Sequence, residues 1–575
     1  MNARWMLPDP PSPERAVQVA CLARELGCGP TVAAFLVQRG LAAPEQALEF
    51  LSPKLKSLSD PFLLPDMRPA VERILAAVDR RERIVAYGDY DVDGVTSLAL
   101  LTRILRAYGA APECFLPDRI EEGYGLSADG VARCVADYIP ELLIAVDCGT
   151  SSADEIATLT ARGIDVIVID HHECKQDLPR CTAVVNPKRP RDGSAAPGTE
   201  SDDYRYLCSA GLIFKLCHAL LKTRALPDFD LREHLDLVAL GTVADIVPLI
   251  RENRVLVQRG LLQIANTRWP GLRALMDVAG VKLPLTAGHV GFQIGPRLNA
   301  AGRLGTARDA LELLLTDDPG KARTLALALD GQNRDRQQVE KKTAAEAEAQ
   351  VAFDPARDAA LVLGAQGWHP GVLGIVASRI SKKYYRPTFV IGFDENGIGK
   401  GSGRSIDGLS LVAALSQCGH LLEKFGGHEM AAGLTMRQER FEEFRREFCK
   451  SSREALSDTD LLPRVQLDCE VRLSELTLDF LALHDRLQPF GMGNAQPLFF
   501  ARGIRPVAEP RVLKEKHLKF VLGQNGTTHE AMFFNAAADA LPRPPWDIAF
   551  RIERNEWRGA VSVQIQIQRI RSASE

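Results

Sequence analysis

The chain has no C-x-x-C pair among its 12 cysteines, no surplus of positive charge, and no uninterrupted apolar run of the ~18 residues that a membrane span requires. Each absence removes a class of protein. Without closely paired cysteines neither a zinc ribbon nor a disulfide framework is suggested, and the thiols are read as reduced and mostly buried. The opening MNARWMLPDPPSPERA also lacks the apolar core of a secretory leader, so a cytosolic protein is expected. A net charge of −4 and a pI near 6.3 argue against a chain that coats nucleic acid over its whole surface. A polyanion partner would need a local basic groove.

What is present is length with ordinary globular composition. Hydrophobic residues make up 46% and charged residues 25% of the 575 positions, and a chain of this size should divide into roughly three to five domains. Residues 1–70 are punctuated by proline and carry helix-like pieces such as EQALEFLSP, with no visible chemistry; they are read as a small packing or lid segment. From residue 84 short β-rich runs (RIVAYGD, ELLIAVDCG, IDVIVIDHH) alternate with helical segments, the pattern of a parallel sheet covered by helices. A polar segment rich in Pro and Gly, NPKRPRDGSAAPGTESDDYR, follows as a loop. Between about 308 and 352 there are few breakers besides the Asp-Pro-Gly at 318–320, and a long connecting helix is expected, with Gly331 as a point of interruption. Two bodies joined by that helix are the consequence. A second α/β block runs from AALVLGAQGWHPGVLGIVASRI to about 455. The remainder alternates apolar and polar residues, as in VSVQIQIQRI, with Asn525-Gly526 suited to a tight turn, and predicts a small barrel or sandwich.

The chemistry is concentrated in the first α/β block. The strand IVAYG ends at Asp89, with Asp91 and Asp93 following before a glycine. LLIAV ends at Asp147, and DVIVI ends at Asp170, His171 and His172. In an open parallel sheet ligands bind at the carboxyl ends of the strands, so three strands deliver these groups to one edge. Asp245 lies in the otherwise apolar VALGTVADIVPL, where a carboxylate is costly unless paired, and is a fourth contributor. Carboxylates ~4 Å apart repel by about 4 kcal/mol per pair at an effective dielectric of about 20. Convergence therefore demands dications. Oxygen ligands with one imidazole favour Mn²⁺ or Mg²⁺ over zinc, and two such ions point to metal-assisted phosphoester hydrolysis.

The segments GDYDVDGVTS, AVDCGTSS, VIDHHE and GTVADIVPL resemble, in order, the four motifs of the DHH phosphoesterase superfamily. GFQIGPRLNAAGRLG, HPGVLGIVASRI and FGGHEMAAGLT are similar to blocks of its RecJ family of single-strand-specific exonucleases. The resemblance covers nearly all of the chain beyond about residue 60. It implies a 5′-to-3′ exonuclease on single-stranded DNA, dependent on two divalent cations, Mn²⁺ or Mg²⁺, that releases mononucleotides in recombination and repair. The implied fold is a parallel-sheet DHH domain joined by a long helix to a smaller α/β DHHA1 domain, plus a C-terminal all-β OB-like domain. The corresponding boundaries are 1–70 for a mostly helical N-terminal segment, 71–260 for the DHH domain, 261–350 for the helical connector, 351–455 for DHHA1 and 456–575 for the OB-like domain. Carried across, Asp91, Asp93, Asp147, His171 and Asp245 are metal ligands with Asp147 as the bridge. Asp89 adds a further contact, and His172 faces the scissile phosphate. Where small pyrophosphatases of the superfamily carry a metal-binding histidine, this chain has Tyr87.

Phosphate contacts are expected from Arg297, Asn299 and Arg303 of PRLNAAGR and from Gln332, Arg334 and Arg336 of GQNRDR, because guanidinium forks match phosphate geometry. Ser402 and Arg404 of GSGRS, with Gly426, Gly427 and His428, combine donors with glycines that let backbone approach a phosphate. His369 joins them through its motif. In SRISKKYYRP the tyrosines are expected in the core. A single-strand-binding protein and a helicase are partners implied by the family. Two other readings remain open at this point: a phosphodiesterase of the same superfamily acting on short oligonucleotides or cyclic dinucleotides, and an inactive replication scaffold. The presence of every principal ligand argues against the scaffold.

Overall fold

The computed structural model describes the chain except residues 1–3, 11, 119–121, 124, 175–176, 190–203, 305, 356, 537–540, 558 and 574–575. Most of the polar loop expected over 186–205 lies outside the described residues. The chain divides into two compact units. One is built mainly on Pro296–Val465, the other on Trp5–Arg273, Gly280–Gly295 and Gln466–Glu575.

The second of these opens with helices α1 (Pro13–Leu26), α2 (Pro30–Gln38) and α3 (Pro44–Leu51), each with proline in its first turn, where the missing N–H has no helical partner to lose. Leu22, Phe35, Leu36 and Leu51 form no core of their own. They share a single apolar cluster with Leu473, Phe480, Phe499 and Phe550 from the far end of the chain.

Strands β1 (Ile84–Gly88), β2 (Glu113–Phe115), β3 (Leu142–Val146), β4 (Asp165–Ile169) and β5 (Ala183–Val185) make a wholly parallel sheet in the order 2-1-3-4-5. Every residue of β1 and β3 is buried, as expected of strands covered on both faces. The direction of winding reverses between β1 and β3, and the crevice outside that switch point is where such sheets bind ligands. Three helices supply its walls: α4 (Val92–Ala107), α5 (Ser209–Thr223) and α6 (Leu235–Ala244). Helix α6 is buried along Leu235–Thr242, so a carboxylate at its end is conspicuous.

A π-helical turn, Val290–Ile294, precedes α7 (Gly295–Leu304) and the 31-residue helix α8 (Pro319–Ala349). The interruption expected at Gly331 does not occur. The break falls earlier, where the Asp318 carboxylate accepts from the Gly320 and Lys321 amides at 2.7 and 3.2 Å and starts a new helix with Pro319 in its first turn. One glycine among alanines and long polar side chains costs too little to end so long a helix.

The other unit carries β6 (Leu361–Gln366), α9 (Pro370–Tyr384), β7 (Thr388–Phe393), β8 (Ile398–Arg404), β9 (Lys424–Gly427) and β10 (Ala431–Arg437). Its sheet runs β9-β10-β8-β7-β6, parallel only between β6 and β7. The C-terminal strands β11 (Cys469–Glu470), β12 (Phe499–Pro506), β13 (Arg511–Leu513), β14 (His517–Gln524), β15 (Thr527–Phe534), β16 (Trp546–Trp557) and β17 (Ala560–Ser572) pair in the order 11-12-16-17-15-14-13. A further β12–β14 pairing closes the sheet on itself as a barrel. Asn525 and Gly526 both take positive φ at the β14–β15 turn, as the sequence predicts. Among the described residues no single helix is long and apolar enough to cross a membrane.

Candidate functional site

The acidic residues meet at the switch point of the parallel sheet. Asp89 ends β1. Asp91 caps α4, its carboxylate accepting from the Gly94 amide at 3.1 Å. Gly94 cannot be larger, because a Cβ would lie 2.4 Å from the Asp89 carbonyl oxygen. Asp93, in the first turn of that helix, is buried and accepts from the Ser209 and Ala210 amides at 2.7 and 2.9 Å, which fastens it to the start of α5. Asp147 follows β3 with φ of 62°, a left-handed conformation that bends the chain sharply at the strand end. Its Oδ1 accepts from the Ser209 hydroxyl at 2.9 Å.

His171 is the hub. Its Nε2 lies 3.3 Å from Asp147 Oδ1, 3.4 Å from Asp245 Oδ2 and 3.8 Å from Asp93 Oδ2. Both His171 Nε2 and Asp245 Oδ2 are buried without a hydrogen-bond partner. Ligand atoms of Asp93, His171 and Asp245 fall within 4.8 Å of one another, as do those of Asp89, Asp91 and Asp147, and those of Asp147, His171 and His172. Asp147 thus belongs to groups on both sides.

The electrostatics describe a site incomplete without cations. Burial, then repulsion from Asp91, pushes Asp93 up to about 6. Burial followed by Asp93 and Asp91 raises Asp245 to about 8, and burial with four surrounding carboxylates raises Asp147 well above its ordinary value. His171 is lowered to about 3, chiefly by burial and then by the charge of His172, and is therefore a neutral imidazole with a lone pair to give. Carboxylates and one neutral imidazole presenting unshared lone pairs to a common space fit a hard divalent cation. Mn²⁺ and Mg²⁺ suit this donor set.

Asp170 stands at this edge in the sequence beside the two histidines, but its supporting role was missed there. Its Oδ1 accepts from the His171 and His172 amides at 2.7 and 3.1 Å and from His172 Nδ1 at 2.7 Å; Oδ2 accepts from the Thr150 amide at 3.0 Å. Although burial opposes ionisation, the bond and charge of His172 hold this carboxyl well below the usual range. The same contact, working against burial, raises His172 to about 9. Asn186 completes the support by donating to the Thr150 hydroxyl and the His172 carbonyl, both at 3.0 Å. Ser209, likewise missed, lies 62 residues beyond Asp147, and no local pattern links the two. Tyr87 stands apart from the acidic groups: it is buried in an apolar cluster and its hydroxyl donates to the Gly125 carbonyl at 3.1 Å.

The expected phosphate contacts gather in the other unit. Arg404 donates to the Gly403 carbonyl at 2.7 Å and the Ser402 hydroxyl at 3.2 Å, and a Cβ on Gly374 in the first turns of α9 would sit 3.0 Å from both side chains. His369 caps α9, its Nδ1 accepting from the Gly371 amide at 3.0 Å, while Arg303 donates to the Gly371 carbonyl at 3.0 Å. Gly427, at φ of 139°, is followed by the exposed His428 in the turn between β9 and β10, whose Ala431 pairs with Arg404. Gly426 is exposed there too. Arg297 and Arg334 both pair with the buried Asp330, Arg297 at 2.9 Å. Arg334 stays 69% exposed; Arg336 turns inward onto Asn333 and Glu340. Gln332 reaches Asp309 at 3.5 Å, and Asn299 is half-buried on α7. Tyr384 and Tyr385, expected in the core, are partly buried and pack against the apolar clusters of this unit, Tyr384 on Phe353.

Three family models match in chain order: the DHH family N-terminal domain over residues 83–242, the DHHA1 domain over 358–454 and the RecJ OB domain over 467–569. The chain is 38% identical over 560 residues to the single-stranded-DNA-specific exonuclease RecJ of Dickeya dadantii, covering 93% of this chain and 94% of that protein. To the protein of the same description from Bacillus subtilis it is 35% identical over 571 residues, 98% of this chain and 70% of the relative. The crystal structure of RecJ from Thermus thermophilus in complex with Mn²⁺ superposes with a TM-score of 0.84 at 32% identity, covering all of this chain and 80% of that one; RecJ from the same organism has also been solved with Mg²⁺. Three family models in chain order, identity that extends over nearly the whole sequence and a superposition that spans it leave a single assignment: the chain belongs to the RecJ family of single-stranded-DNA-specific exonucleases within the DHH phosphoesterases.

Proposed function

We propose that this chain is a divalent-cation-dependent exonuclease that hydrolyses phosphodiester bonds of single-stranded DNA from the 5′ end and releases 5′-mononucleotides, in recombination and repair. The observation that carries the reading is the convergence of Asp93, Asp147, His171 and Asp245 on one crevice, with buried lone pairs left unshared at His171 and Asp245. Asp93, His171 and Asp245 would hold one Mn²⁺ or Mg²⁺ and Asp89, Asp91 and Asp147 a second, with Asp147 between the two. When bound, the cations supply Lewis acidity toward the phosphoryl oxygens and activate water.

The chain's own residues do the rest. Asp170 orients the His172 ring through Nδ1, and the ring would face the scissile phosphate and donate a proton to the leaving oxygen. Ser209 holds Asp147 and, through its amide, Asp93 in register. Arg303, Arg404, Ser402, His369, Gly426, Gly427 and His428 engage the backbone phosphates beside the first turn of α9. Arg297, Asn299, Gln332 and Arg334 extend that grip, because guanidinium and amide donors match phosphate oxygens. A single-strand-binding protein and a helicase are the proposed suppliers of unpaired strand. Twelve free thiols support a reducing, cytoplasmic setting.

The test is a nuclease assay on single strands labelled at either end, with Mn²⁺, Mg²⁺ or chelator. Immediate release of a labelled mononucleotide from the 5′-labelled strand, abolished by chelator, is expected. Release from the 3′ end first, or activity that survives chelation, would remove the reading.

A further inference from the structure

Phe292 is 86% exposed, although its neighbours Val290 and Ile294 in the same π-helical turn are buried. π-Helical turns are rare and gather at functional sites. This one rests on the end of α6: a Cβ on Gly291 would lie 3.8 Å from Val243, and one on Gly295 would lie 3.7 Å from the Ala244 methyl group. The next residue along that helix is Asp245, whose carboxylate faces His171. Ile246 follows with φ of 61° and 65% exposure. A β-branched side chain in the left-handed region is strained, and such strain marks sites of function. Folding gains nothing from either side chain in water, yet Ile246 directly follows the metal-site carboxylate and the turn that carries Phe292 packs on the two residues before it.

We propose that Phe292, together with Ile246 beside Asp245, forms an apolar platform on which one base of the single strand stacks next to the scissile phosphate. The proposal rests on the acidic crevice being the hydrolytic centre. A base is the occupant that the location favours, since whatever enters the crevice phosphate-first carries a base within a few ångströms. Stacking on an aromatic ring is tolerant of sequence, because every base has a π face, but it needs a base released from its own stack and partner. Phe292 would thus reject duplex without reading sequence.

The experiment walks a single abasic residue through the first five positions of an oligothymidylate and measures kcat/KM with Mn²⁺ for the wild-type chain, Phe292→Ala and Phe292→Trp. In the wild type one abasic position should lower kcat/KM by about ten- to a hundredfold, the range that base–aromatic stacking supplies. Phe292→Ala should lose a similar factor on the intact strand and lose nothing further at that abasic position, while Phe292→Trp restores the abasic penalty. Independent, multiplying losses would overturn the platform, as would Phe292→Ala kinetics indistinguishable from wild type, which would leave the exposed ring to a protein partner. If wild-type protein cuts no strand with Mn²⁺ present, the hydrolytic reading itself fails, a result distinct from either.

Discussion

The two sheets that carry the site residues solve opposite problems. At the ends of β1, β3 and β4 charge of one sign is concentrated, buried and left partly unsatisfied, with His171 Nε2 and Asp245 Oδ2 facing each other without a bonded partner. Around α9 and β8 the opposite charge is present, but Arg404 and Arg303 already donate to carbonyl oxygens of their own unit. The first region is unstable by itself and is completed by what it binds. The second is complete and offers only room, through glycines without side chains. A buried set of like charges is kept in a fold for a ligand's sake, whereas a satisfied guanidinium among glycines adapts to one.

The sharpest way to break that contrast is Asp147→Asn. Asparagine tolerates the left-handed backbone and keeps the bond from Ser209, so the fold should persist. Hydrolysis of single strands should fall by about a thousandfold, as when a group stabilising transition-state charge is removed. The same substitution should raise the melting temperature in chelator by at least ~2 °C, because one of several repelling carboxylates is gone. Wild-type protein should gain stability on adding Mn²⁺ and the variant should gain much less. Calorimetry with and without the ion checks both signs. A variant less stable than wild type in chelator would mean that the acidic cluster is not strained.

Asp170→Asn probes the next tier. An amide nitrogen must replace one carboxylate oxygen and would confront either the Thr150 amide or the His171 and His172 donors. A loss of about ten- to a hundredfold in kcat is expected, in the range of removed supports around ligating side chains. KM should hold. A rise in KM at unchanged kcat would assign Asp170 to strand binding instead.

Arg404→Ala belongs to the satisfied region and should affect binding alone. Loss of one charge-assisted contact should raise the Kd for an oligonucleotide by about tenfold, while saturating turnover stays near wild type. A fall in kcat comparable to that of the Asp170 variant would erase the distinction between the two regions.

The sequence discloses the first region better than the second, for a physical reason. A carboxylate at the end of a fully apolar strand, or in a buried helix as at Asp245, violates the cost of burying charge, so its position alone marks it. Arg334 and Arg336 lie two residues apart on α8 and only the helix's rotation decides that the first is exposed and the second buried; a weakly amphipathic helix does not print its phase. Ser209 and the supporting role of Asp170 escaped because both act through hydrogen bonds to groups that the fold, not the pattern, brings close. The helix-like pieces of residues 1–70 were legible as a packing segment, but their partner, the barrel more than 400 residues away, was not. Gly331 was overread, since a breaker counts only against the length of helix that must be broken.

The smallest effect should come from Gly374→Ala, and its size tests how much give the second region has. At the acidic crevice the equivalent intrusion is impossible, since a methyl group on Gly94 meets the Asp89 carbonyl oxygen at 2.4 Å and backbone cannot step aside. At Gly374 the new methyl meets the Arg404 guanidinium and the Ser402 hydroxyl at 3.0 Å, both at the ends of rotatable side chains. Alanine also favours the helix over glycine. A shift of a few tenths of an ångström in Arg404 should therefore raise KM by about threefold at unchanged kcat, far below the cost of an ångström's misplacement in a rigid site. Thermal stability should be level or slightly higher. A loss in kcat instead, or a chain that fails to fold, would mean that this region is as rigidly built as the crevice and that its glycines are held by backbone contacts rather than by the space they leave.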